Sequence, residues 1–478
     1  MLSDIGDRTV IVTGLGNGDE GKGATVDWMV RRTGAVASVR FCGGPQACHN
    51  VVLADGTWHP FAQFGSGTLV PGTETVLLKN MLIEVEALEA EAGELAHKIG
   101  FQPLRLVTVS PECALVTPVN KMVNQMSEIA RGDGQVGSCG MGVGLTAADR
   151  MRNLHVTVKQ ALSNERGAFA RMHKLNTLRL HEAERMLRAS PSEEMERVYS
   201  YFLQRIEPHA LLGTYRRILK RVRVESDVRA LQRTLRRGKI VMEGAQGAGL
   251  HPFGAFWPYC TKTVPTPMNA LAHLKKAGVD VEHETFRVGV LRAFAHRHGA
   301  GPLPTEDPQL KDRLADPRNP HNRWQGDFRV GWPDLVMMRY GLALNGRTDT
   351  VALTHLDSLS GIGDIQFCTS YVYHGPFDHL DRFFAWEEIG PRLAKIRAIR
   401  RFASVQPDEL ELRTGLIMRC EPYELLTLPG WTEDLSDIRT YGELPDAVHL
   451  YVQFVEDILG VRVGVVSVGP TAEHRIER

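Results

Sequence analysis

The sequence has no excess of charge of either sign, because its 56 Lys and Arg residues balance 56 Asp and Glu residues in 478 positions. A protein that mainly neutralises a nucleic-acid backbone carries a basic excess, so we expect no nucleic-acid partner. The sequence also lacks an apolar run of about 18 residues, the length that a membrane-spanning helix needs. We therefore expect no membrane partner.

Cysteine is scarce and scattered. The seven cysteines are odd in number and form no C-x-x-C pair; they are Cys42, Cys48, Cys113, Cys139, Cys260, Cys368 and Cys420. This pattern favours reduced thiols over a disulfide framework or a zinc site. The first residues, MLSDIGDRTVIVTG, lack the basic and long apolar segments of a secretory signal. These features predict a cytoplasmic protein.

Short apolar runs that alternate with helical stretches such as Leu82–His97 organise most of the chain. The runs are Thr9–Gly14, Thr75–Leu78, Leu104–Val109, Lys239–Met242, Phe286–Leu291, Thr350–Leu353, Ile365–Tyr371 and Val461–Val466. This alternation indicates an α/β fold with a large, mainly parallel central sheet and helices on both faces. We predict a single domain over residues 1–478.

Two segments differ from this pattern. Residues 155–237 are rich in Arg, Glu, Leu and Ala and poor in Gly, which is typical of amphipathic helices. We predict that they form a helical insertion packed on the sheet domain. Residues 302–332 contain many Pro, Asp, Asn and Arg residues, and long loops of this kind in compact enzymes are often binding loops.

A glycine-rich loop lies between the first predicted strand and a helix. Gly16–Gly23 (GNGDEGKG) matches the G-x-x-x-x-G-K part of a phosphate-binding loop, in which glycine N–H groups and a lysine, here Lys22, hold an anion at a helix N-terminus. The Ser or Thr that normally follows, and that holds Mg²⁺, is replaced by Gly23. Asp19 is the obvious substitute ligand for Mg²⁺. The loop predicts a P-loop-like architecture that binds the phosphates of a nucleotide.

The string GDEGKG and several later segments resemble motifs of the adenylosuccinate synthetase family, in the family's order. The later segments are Arg40–Asn50 (RFCGGPQACHN), Val241–Gly247 (VMEGAQG), Trp257–Thr261 (WPYCT), Arg297–Glu306 (RHGAGPLPTE), Arg329–Trp332 (RVGW), Thr354–Asp357 (THLD), Pro429–Trp431 (PGW) and Ser467–Pro470 (SVGP). The matches extend from residue 9 to about residue 473. By this resemblance the chain is identified as a divergent member or paralogue of the family.

The resemblance implies a ligase of purine biosynthesis that joins IMP and L-aspartate, using GTP, to give adenylosuccinate. GTP phosphorylates the purine 6-oxygen, and the amine then displaces phosphate. The implied catalytic residues are Asp19 as the base at N1, His49 as the acid at the 6-oxygen, and Lys22 among the phosphates. Mg²⁺ is the implied cofactor, held by Asp19 and the backbone carbonyl of Cys48. A homodimer is the implied assembly.

The resemblance also implies the substrate contacts, residue by residue. The GTP site would comprise Gly18, Glu20, Gly21, Gly23, Arg329, Asp357, Ser467 and Gly469. The site for the IMP-like nucleotide would comprise Gln46, Ser138, Cys139, Arg152, Gln246 and Thr261. Asp357 matches two adjacent guanine donors, Arg152 or Arg150 is the candidate to cross a dimer interface, and Arg323 and Arg329 would bind the amino acid.

Departures from the family pattern fall at ligand positions. His355 replaces a guanine-site lysine, which leaves the choice between GTP and ATP open, and Cys139 replaces a threonine. The largest change is in the amino-acid loop, His321–Trp332 (HNRWQGDFRVGW), where the family has a run of arginines. Asp327 in this loop would repel a dicarboxylate, which makes aspartate uncertain as the amine donor.

Three functions therefore remain open. The first is the family reaction itself. The second is a paralogous nucleoside-triphosphate-dependent ligase with another amine donor or nucleotide; a 2-aminopurine-forming relative is disfavoured because Asp19 is retained. The third is an inactive nucleotide-binding protein on the same fold, against which the joint presence of Asp19, Lys22, His49 and Gln246 counts.

Overall fold

The computed structural model describes residues 2–163, 165–401, 404 and 406–478. In this part of the chain the strands are β1 (Thr9–Gly14), β2 (Ala37–Arg40), β3 (His49–Val52), β4 (Trp58–Phe61), β5 (Glu74–Leu77), β6 (Leu82–Ile83), β7 (Val107–Val109), β8 (Ala114–Leu115), β9 (Arg223–Val224), β10 (Ile240–Gly247), β11 (Thr285–Arg292), β12 (Ala295–His298), β13 (Phe328–Gly331), β14 (Thr350–Thr354), β15 (Ile365–His374), β16 (Phe384–Gly390), β17 (Leu393–Ile399), β18 (Cys420–Leu428), β19 (Val463–Ser467) and β20 (Arg475–Glu477).

The α-helices connect and cover these strands. They are α1 (Leu2–Ile5), α2 (Lys22–Thr33), α3 (Val85–Ile99), α4 (Pro118–Arg131), α5 (Val143–Met151), α6 (Val158–Ser163), α7 (Glu165–Ala189), α8 (Glu193–Leu203), α9 (Pro208–Leu219), α10 (Asp227–Arg237), α11 (Met268–Ala277), α12 (Leu335–Asn345), α13 (Leu380–Phe383), α14 (Pro407–Ile417) and α15 (Asp446–Leu459). The stretch predicted as one helix at 82–97 begins with β6, and α3 starts only after Glu84, whose side chain accepts a hydrogen bond from the backbone N–H of Ala87.

A ten-stranded sheet forms the centre of the molecule. Its strand order is β20-β19-β14-β11-β1-β10-β2-β5-β7-β9. All neighbouring pairs are parallel except β19 and β20, which are antiparallel. The predicted α/β class with a large, mainly parallel sheet is confirmed.

Helices cover both faces of this sheet, as the alternation of side chains along β1 shows. Val10 and Val12 pack into a core with Trp28 of α2. Ile11, between them, points to the other face and packs into a different core with Leu231 of α10 and Leu274 of α11. Successive strand residues face opposite sides of a sheet, so a strand that is apolar at every position needs a cover on each side.

A second, smaller sheet contains one of the runs that the sequence placed among the central strands. Residues 365–371 lie in β15, within an antiparallel sheet of order β16-β17-β15-β18. The difference arises because β15 is followed by two further strands that return beside it, whereas a parallel neighbour requires a crossover helix. Residues 155–237 contain α6 to α10 and the two-residue strand β9, which pairs with β7 at the edge of the central sheet.

The central sheet positions the chemistry at one edge. The segments that follow the carboxyl ends of β1, β2, β10, β11, β14 and β19 carry most of the residues singled out by the sequence, which is where open parallel sheets bind ligands. In the described part of the chain, no helix combines the length and the apolar character that crossing a bilayer requires.

Asp334 is a buried carboxyl group at the start of α12 and makes fold stability depend on pH. Its side chain accepts hydrogen bonds from the N–H of Met337 at 3.0 Å and the hydroxyl of Tyr371 at 2.6 Å. Burial raises its pKa from 3.8 to about 6, although the Tyr371 hydrogen bond opposes this. The protonated carboxyl therefore stabilises the fold fully below about pH 4, and this contribution is lost as the pH rises through 6.

We expect Asp334→Asn to flatten part of this pH dependence. Between pH 5 and pH 8 the free energy of unfolding of the original protein should fall more than that of the variant, by on the order of 1 kcal/mol. Urea unfolding at the two pH values measures this difference. Parallel pH profiles of the two proteins would contradict the assignment.

Candidate active site

The glycine-rich loop connects β1 to α2 through a series of left-handed backbone conformations. Gly18, Asp19 and Gly21 have φ angles of 89°, 52° and 84°. A positive φ is unstrained for glycine, and Asp is among the few other residues that adopt it readily. The loop thereby delivers the N-terminal end of α2 to a cavity lined by residues 17–24, and a helix N-terminus favours an anion.

Side chains from the neighbouring strands hold this loop by its carbonyl oxygens. Arg292 donates from Nη1 to the carbonyl of Asp19 at 3.0 Å, and Thr354 donates from its hydroxyl to the carbonyl of Glu20 at 2.7 Å. His296 contacts the carbonyl of Gly18 through Nε2. The three contacts fix the loop from β11, β12 and β14 before any ligand is present.

Glu20 points into the loop and supports it from within. Its carboxylate accepts hydrogen bonds from the N–H of Gly16 at 2.5 Å and from Lys22 Nζ at 2.8 Å. Burial raises the pKa of Glu20, and the charge of Lys22 opposes this rise. A Cβ at position 14 would lie 1.9 Å from Glu20 Oε2, so glycine at that position makes room for the carboxylate.

Gly23 replaces the hydroxyl residue of an ordinary phosphate loop for a steric reason. A Cβ at position 23 would lie 2.7 Å from the Cβ of His49 and 2.9 Å from its carbonyl carbon. No side chain can therefore occupy this position while His49 stays where it is. The loop cannot hold a metal in the usual way, which agrees with the prediction that Asp19 takes over that role.

His49 lies at the start of β3 and is held by Glu243 of β10. The distance from His49 Nδ1 to Glu243 Oε1 is 2.5 Å. Ser66 donates its hydroxyl to Oε1 at 2.6 Å and its N–H to Oε2 at 2.8 Å, and Ser38 donates to Oε2 at 3.0 Å. Arg40 Nη1 lies 3.9 Å from Oε1. Glu243 and Arg40 are fully buried.

The pKa values of this pair follow from their surroundings. Burial alone would raise the pKa of Glu243, but the positive charge of Arg40 and the hydrogen bonds from His49 and Ser66 outweigh it and lower the pKa to about 2. Burial lowers the pKa of His49 to about 4, against the hydrogen bond to Glu243. At neutral pH His49 is therefore neutral and Glu243 is ionised.

One cavity of about 960 Å³ brings most of the predicted site residues together. It is lined by Gly18, Asp19, Glu20, Gly21, Lys22, Gly23, Gln46, Cys48, His49, Ser138, Cys139, Gln246, Thr261, Asp357, Ser467 and Gly469. Its volume suits more than one small ligand, because drug-sized ligands occupy pockets of about 300 to 1,000 Å³. Three predicted residues lie outside the cavity lining: Arg152, Arg323 and Arg329.

The carboxylate of Asp19 faces this cavity and is free to bind a metal ion. No hydrogen bond to its side chain is found among the described residues, and His298 Nδ1 lies 3.9 Å from Asp19 Oδ2. The described residues contain no cluster of three or more His, Cys, Asp or Glu side chains that could form a protein-only metal site. One carboxylate together with ligand phosphates fits Mg²⁺, which usually keeps few protein ligands.

The two ends of the cavity differ. At one end Asp357 follows β14, beside Ser467, the last residue of β19, and Gly469 just after it. Burial raises the pKa of Asp357. At the other end Gln246 is held by Thr263, whose hydroxyl donates to Gln246 Oε1 at 2.7 Å, and Ser138 accepts a hydrogen bond from Asn124 at 2.7 Å.

The charged residues of the amino-acid loop are paired within the protein. Arg323 contacts Glu194 of α8, and Arg329 donates from Nε to Glu306 at 2.9 Å and from Nη1 to the carbonyls of Gly299 and Gly301 at 3.0 and 2.9 Å. Asp327 is held by Lys311 at 3.1 Å and by His321 at 2.8 Å. The loop residues that do line the cavity are His321, Asn322 and Gln325.

A comparison with known families decides the identity of this site. The family model described as adenylosuccinate synthetase matches residues 11–476. The chain belongs to the adenylosuccinate synthetase family. Its activity is that of a ligase of purine biosynthesis, which binds GTP, requires a metal ion and forms a C–N bond.

Individual relatives cover the whole chain at moderate identity. The adenylosuccinate synthetase of Halothermothrix orenii is 29% identical over 478 residues, which is 98% of each chain. That of Desulforudis audaxviator is 30% identical over 476 residues, covering 98% of this chain and 97% of the relative.

Two solved structures share the fold. The fully ligated adenylosuccinate synthetase of Plasmodium falciparum has a TM-score of 0.76 at 20% identity, covering 98% of this chain and all of that one. The succinoaminodeoxyadenylate synthetase of cyanophage S-2L, bound to dGMP and dATP, has a TM-score of 0.55 at 17% identity, with coverages of 98% and 95%.

Sequence reasoning assigned no role to several residues that build the site. Glu243 gave a usable signal, because it is the one charged residue in the run Ile240–Gly247 (IVMEGAQG), and a charge in a buried strand needs partners. Arg292 and His296 gave no such signal. Their roles depend on backbone carbonyls of a loop more than 270 positions earlier in the chain.

Proposed function

We propose that this protein joins L-aspartate to C6 of IMP, with GTP as the phosphoryl donor and Mg²⁺ as the metal ion, and so forms adenylosuccinate. The observation that carries this proposal is the meeting of Asp19, Lys22 and His49 on one cavity at the N-terminal end of α2. These are the groups that phosphorylation of a purine 6-oxygen requires: a base for N1–H, a cation at the phosphates and a polar group at the oxygen.

The chemistry proceeds in two stages. The Asp19 carboxylate takes the N1 proton, electron density moves to the 6-oxygen, and this oxygen attacks the γ-phosphorus of GTP, so that the bond to the β-phosphate oxygen breaks. The amine donor, as a free amine, then attacks C6, the C6–O bond breaks, the 6-oxygen leaves with its phosphoryl group as inorganic phosphate, and this phosphate takes the proton that the amine loses. Mg²⁺, held by Asp19 and the Cys48 carbonyl, would neutralise phosphate charge when bound.

Asp357, Ser467 and Gly469 support GTP as the phosphoryl donor. A carboxylate accepts two hydrogen bonds from the adjacent N1–H and N2–H groups of guanine, whereas adenine presents no such pair. We place the IMP-like nucleotide against Gln46, Ser138, Cys139, Gln246 and Thr261 at the other end of the cavity. Arg152, which is exposed and outside the cavity lining, suits a contact across a homodimer interface.

The pairing of the loop charges favours a second candidate, in which the amine donor is not a dicarboxylate. Arg323 and Arg329 are occupied by Glu194 and Glu306 and lie outside the cavity lining. The loop residues that do line it, His321, Asn322 and Gln325, suit neutral polar groups better than carboxylates. The nucleotide and phosphoryl chemistry is the same in both candidates.

A donor panel separates the two candidates. Purified protein is incubated with GTP, IMP and Mg²⁺ and with L-aspartate, L-asparagine or simple amino acids, and products are read by mass spectrometry. We expect an adduct at C6 that requires GTP and Mg²⁺, with L-aspartate as the preferred donor. A larger kcat/KM for L-asparagine or a monocarboxylic amino acid would establish the second candidate instead.

One variant links the panel to the loop. Glu306→Gln removes the carboxylate partner of Arg329. If Arg329 then contacts the donor, the KM for a dicarboxylate donor should be lower in this variant than in the original protein.

The donor panel also tests the third function. No adduct with any donor, despite nucleotide binding, would contradict both candidates and favour an inactive nucleotide-binding protein.

We also propose that the protein is a cytoplasmic homodimer. All seven cysteines are free thiols, which suits a reducing compartment. The dimer is supported by the resemblance to the family, and analytical ultracentrifugation tests it.

A further inference from the structure

Glu243 occupies an unusual position for a carboxylate. It lies on β10, in the middle of the central sheet, where its strand neighbours β1 and β2 run on either side. Its exposed fraction is zero. A buried ionic group is rarely the best choice for stability, because well-packed apolar residues are often as stable or more so. We therefore expect Glu243 to have a role other than stabilising the sheet.

Both carboxylate oxygens of Glu243 accept hydrogen bonds. Oε2 accepts from the hydroxyl of Ser38 and the N–H of Ser66, and Oε1 accepts from the hydroxyl of Ser66. The fourth contact is with His49 Nδ1 at 2.5 Å. An ionised carboxylate can only accept hydrogen bonds, so His49 Nδ1 carries the proton and donates it.

This contact decides which nitrogen of His49 remains for a ligand. With the proton on Nδ1, the other ring nitrogen, Nε2, has no hydrogen-bond partner among the described residues, and the ring lines the cavity beside Asp19 and Lys22. The second partner of a histidine sets its tautomer and its ring orientation. Gly23 packs against the Cβ and the backbone of His49, with 2.7 Å from its would-be Cβ to the Cβ of His49, so the base of the side chain is held in place as well.

We propose that Glu243 is the positioning residue of His49: it fixes the ring orientation and the Nδ1–H tautomer and so turns Nε2 towards the 6-oxygen of the purine. Nε2 takes up a proton from solvent, and the resulting N–H donates to the negative charge that develops on this oxygen, while Glu243 balances the charge of the imidazolium. This inference rests on the proposed function for the identity of the reacting atom. Arg40, whose Nη1 lies 3.9 Å from Glu243 Oε1, lowers the pKa of the carboxyl group and keeps it charged. A group held in place before the reaction needs no reorganisation during it.

A double-mutant cycle tests the proposal on phosphoryl transfer alone. The readout is positional isotope exchange: ¹⁸O in the β,γ-bridging position of GTP scrambles to β-nonbridging positions only if the γ-phosphoryl group moves reversibly to IMP. We expect Glu243→Gln to slow this exchange about 10- to 100-fold. We expect the same change in a His49→Ala background to have almost no further effect, because residues that act through one another are not additive.

Glu74→Gln is the matched control. Glu74 is also a buried strand carboxylate with arginine partners, Arg233 and Arg237, but it contacts neither His49 nor the cavity. This variant should lose stability and keep its isotope exchange. Additive losses in the cycle, or full exchange in a folded Glu243→Gln protein, would overturn the proposal.

Glu243→Gln leaves the buried Arg40 without a charged partner and can prevent folding. Glu243→Asp keeps the charge and withdraws the carboxylate from His49 by one methylene, so it should fold and still slow the exchange. Unchanged exchange in folded Glu243→Asp would then reject the role of Glu243.

A spectroscopic measurement separates this proposal from the proposed function. In ¹⁵N-histidine-labelled protein, the His49 signals, assigned by their loss in His49→Ala, should show a protonated Nδ1 and an unprotonated Nε2, and Glu243→Gln should change this pattern. An unprotonated Nδ1 in the original protein would refute the tautomer directly. If the original protein shows the expected tautomer but no isotope exchange with any purine nucleotide, the proposed function fails while the positioning of His49 stands.

Discussion

Asp19→Asn is expected to slow transfer of the γ-phosphoryl group to IMP about 10³-fold, since removal of a positioned general base costs about 10² to 10⁴. The amide cannot accept the N1 proton, and it is a weaker ligand for a divalent cation than a carboxylate. The loop should keep its shape, because the contacts that fix it use the backbone carbonyls of Asp19, Glu20 and Gly18.

Isotope exchange in GTP measures this loss, and binding of GDP without metal measures the integrity of the loop. Asp280→Asn serves as the control: it removes a carboxylate that pairs with His283 on the surface, and both measurements should match those of the original protein. An Asp19→Asn protein that exchanges isotope at the original rate would show that another group takes the N1 proton.

Gly23→Ala is expected to lower kcat about 10²-fold by displacing His49. The added methyl group would meet the Cβ, the carbonyl carbon and the carbonyl oxygen of His49 at 2.7, 2.9 and 3.0 Å. Backbone atoms cannot rotate aside as a flexible side chain does, so β3 must shift. A displacement of about 1 Å in a catalytic group can cost about 10²-fold in rate, and overpacking costs about 1 to 3 kcal/mol in stability.

Steady-state kinetics and thermal unfolding of Gly23→Ala test both effects. Gly93→Ala is the control, because Gly93 lies in α3 with nothing within 4 Å of its would-be Cβ; alanine there should stabilise the helix by up to about 1 kcal/mol and leave kcat alone. If Gly23→Ala retains full activity, the loop and β3 are less tightly packed than the structure shows.

Much of the fold and the phosphate-binding end of the site could be predicted from sequence because both depend on local patterns. The run Thr9–Gly14, the glycine loop and the helix after it are contiguous, and short apolar strands between helices define a parallel sheet. Residues 365–371 were harder to place, because an apolar strand has the same sequence pattern in a parallel sheet and in an antiparallel one.

The parts that could not be predicted depend on residues far apart in the chain. His49 and Glu243 are 194 positions apart, and neither alone indicates the tautomer of the histidine. The steric reason for Gly23 is likewise visible only once β3 packs beside α2. The ion pair of Arg323 could not be predicted either, since its partner Glu194 lies in α8, 129 positions earlier.

The contact between Arg323 and Glu194 couples the surface of α8 to the loop 321–332. Glu194 belongs to the helical segment 155–237 and contacts Arg323 in the loop 321–332. A helix surface tolerates substitution more readily than a catalytic cavity does, because exposed positions away from special contacts change stability by only about 0.5 kcal/mol. We therefore expect substitutions at Glu194 to free Arg323 from this ion pair without altering Asp19, Lys22 or His49.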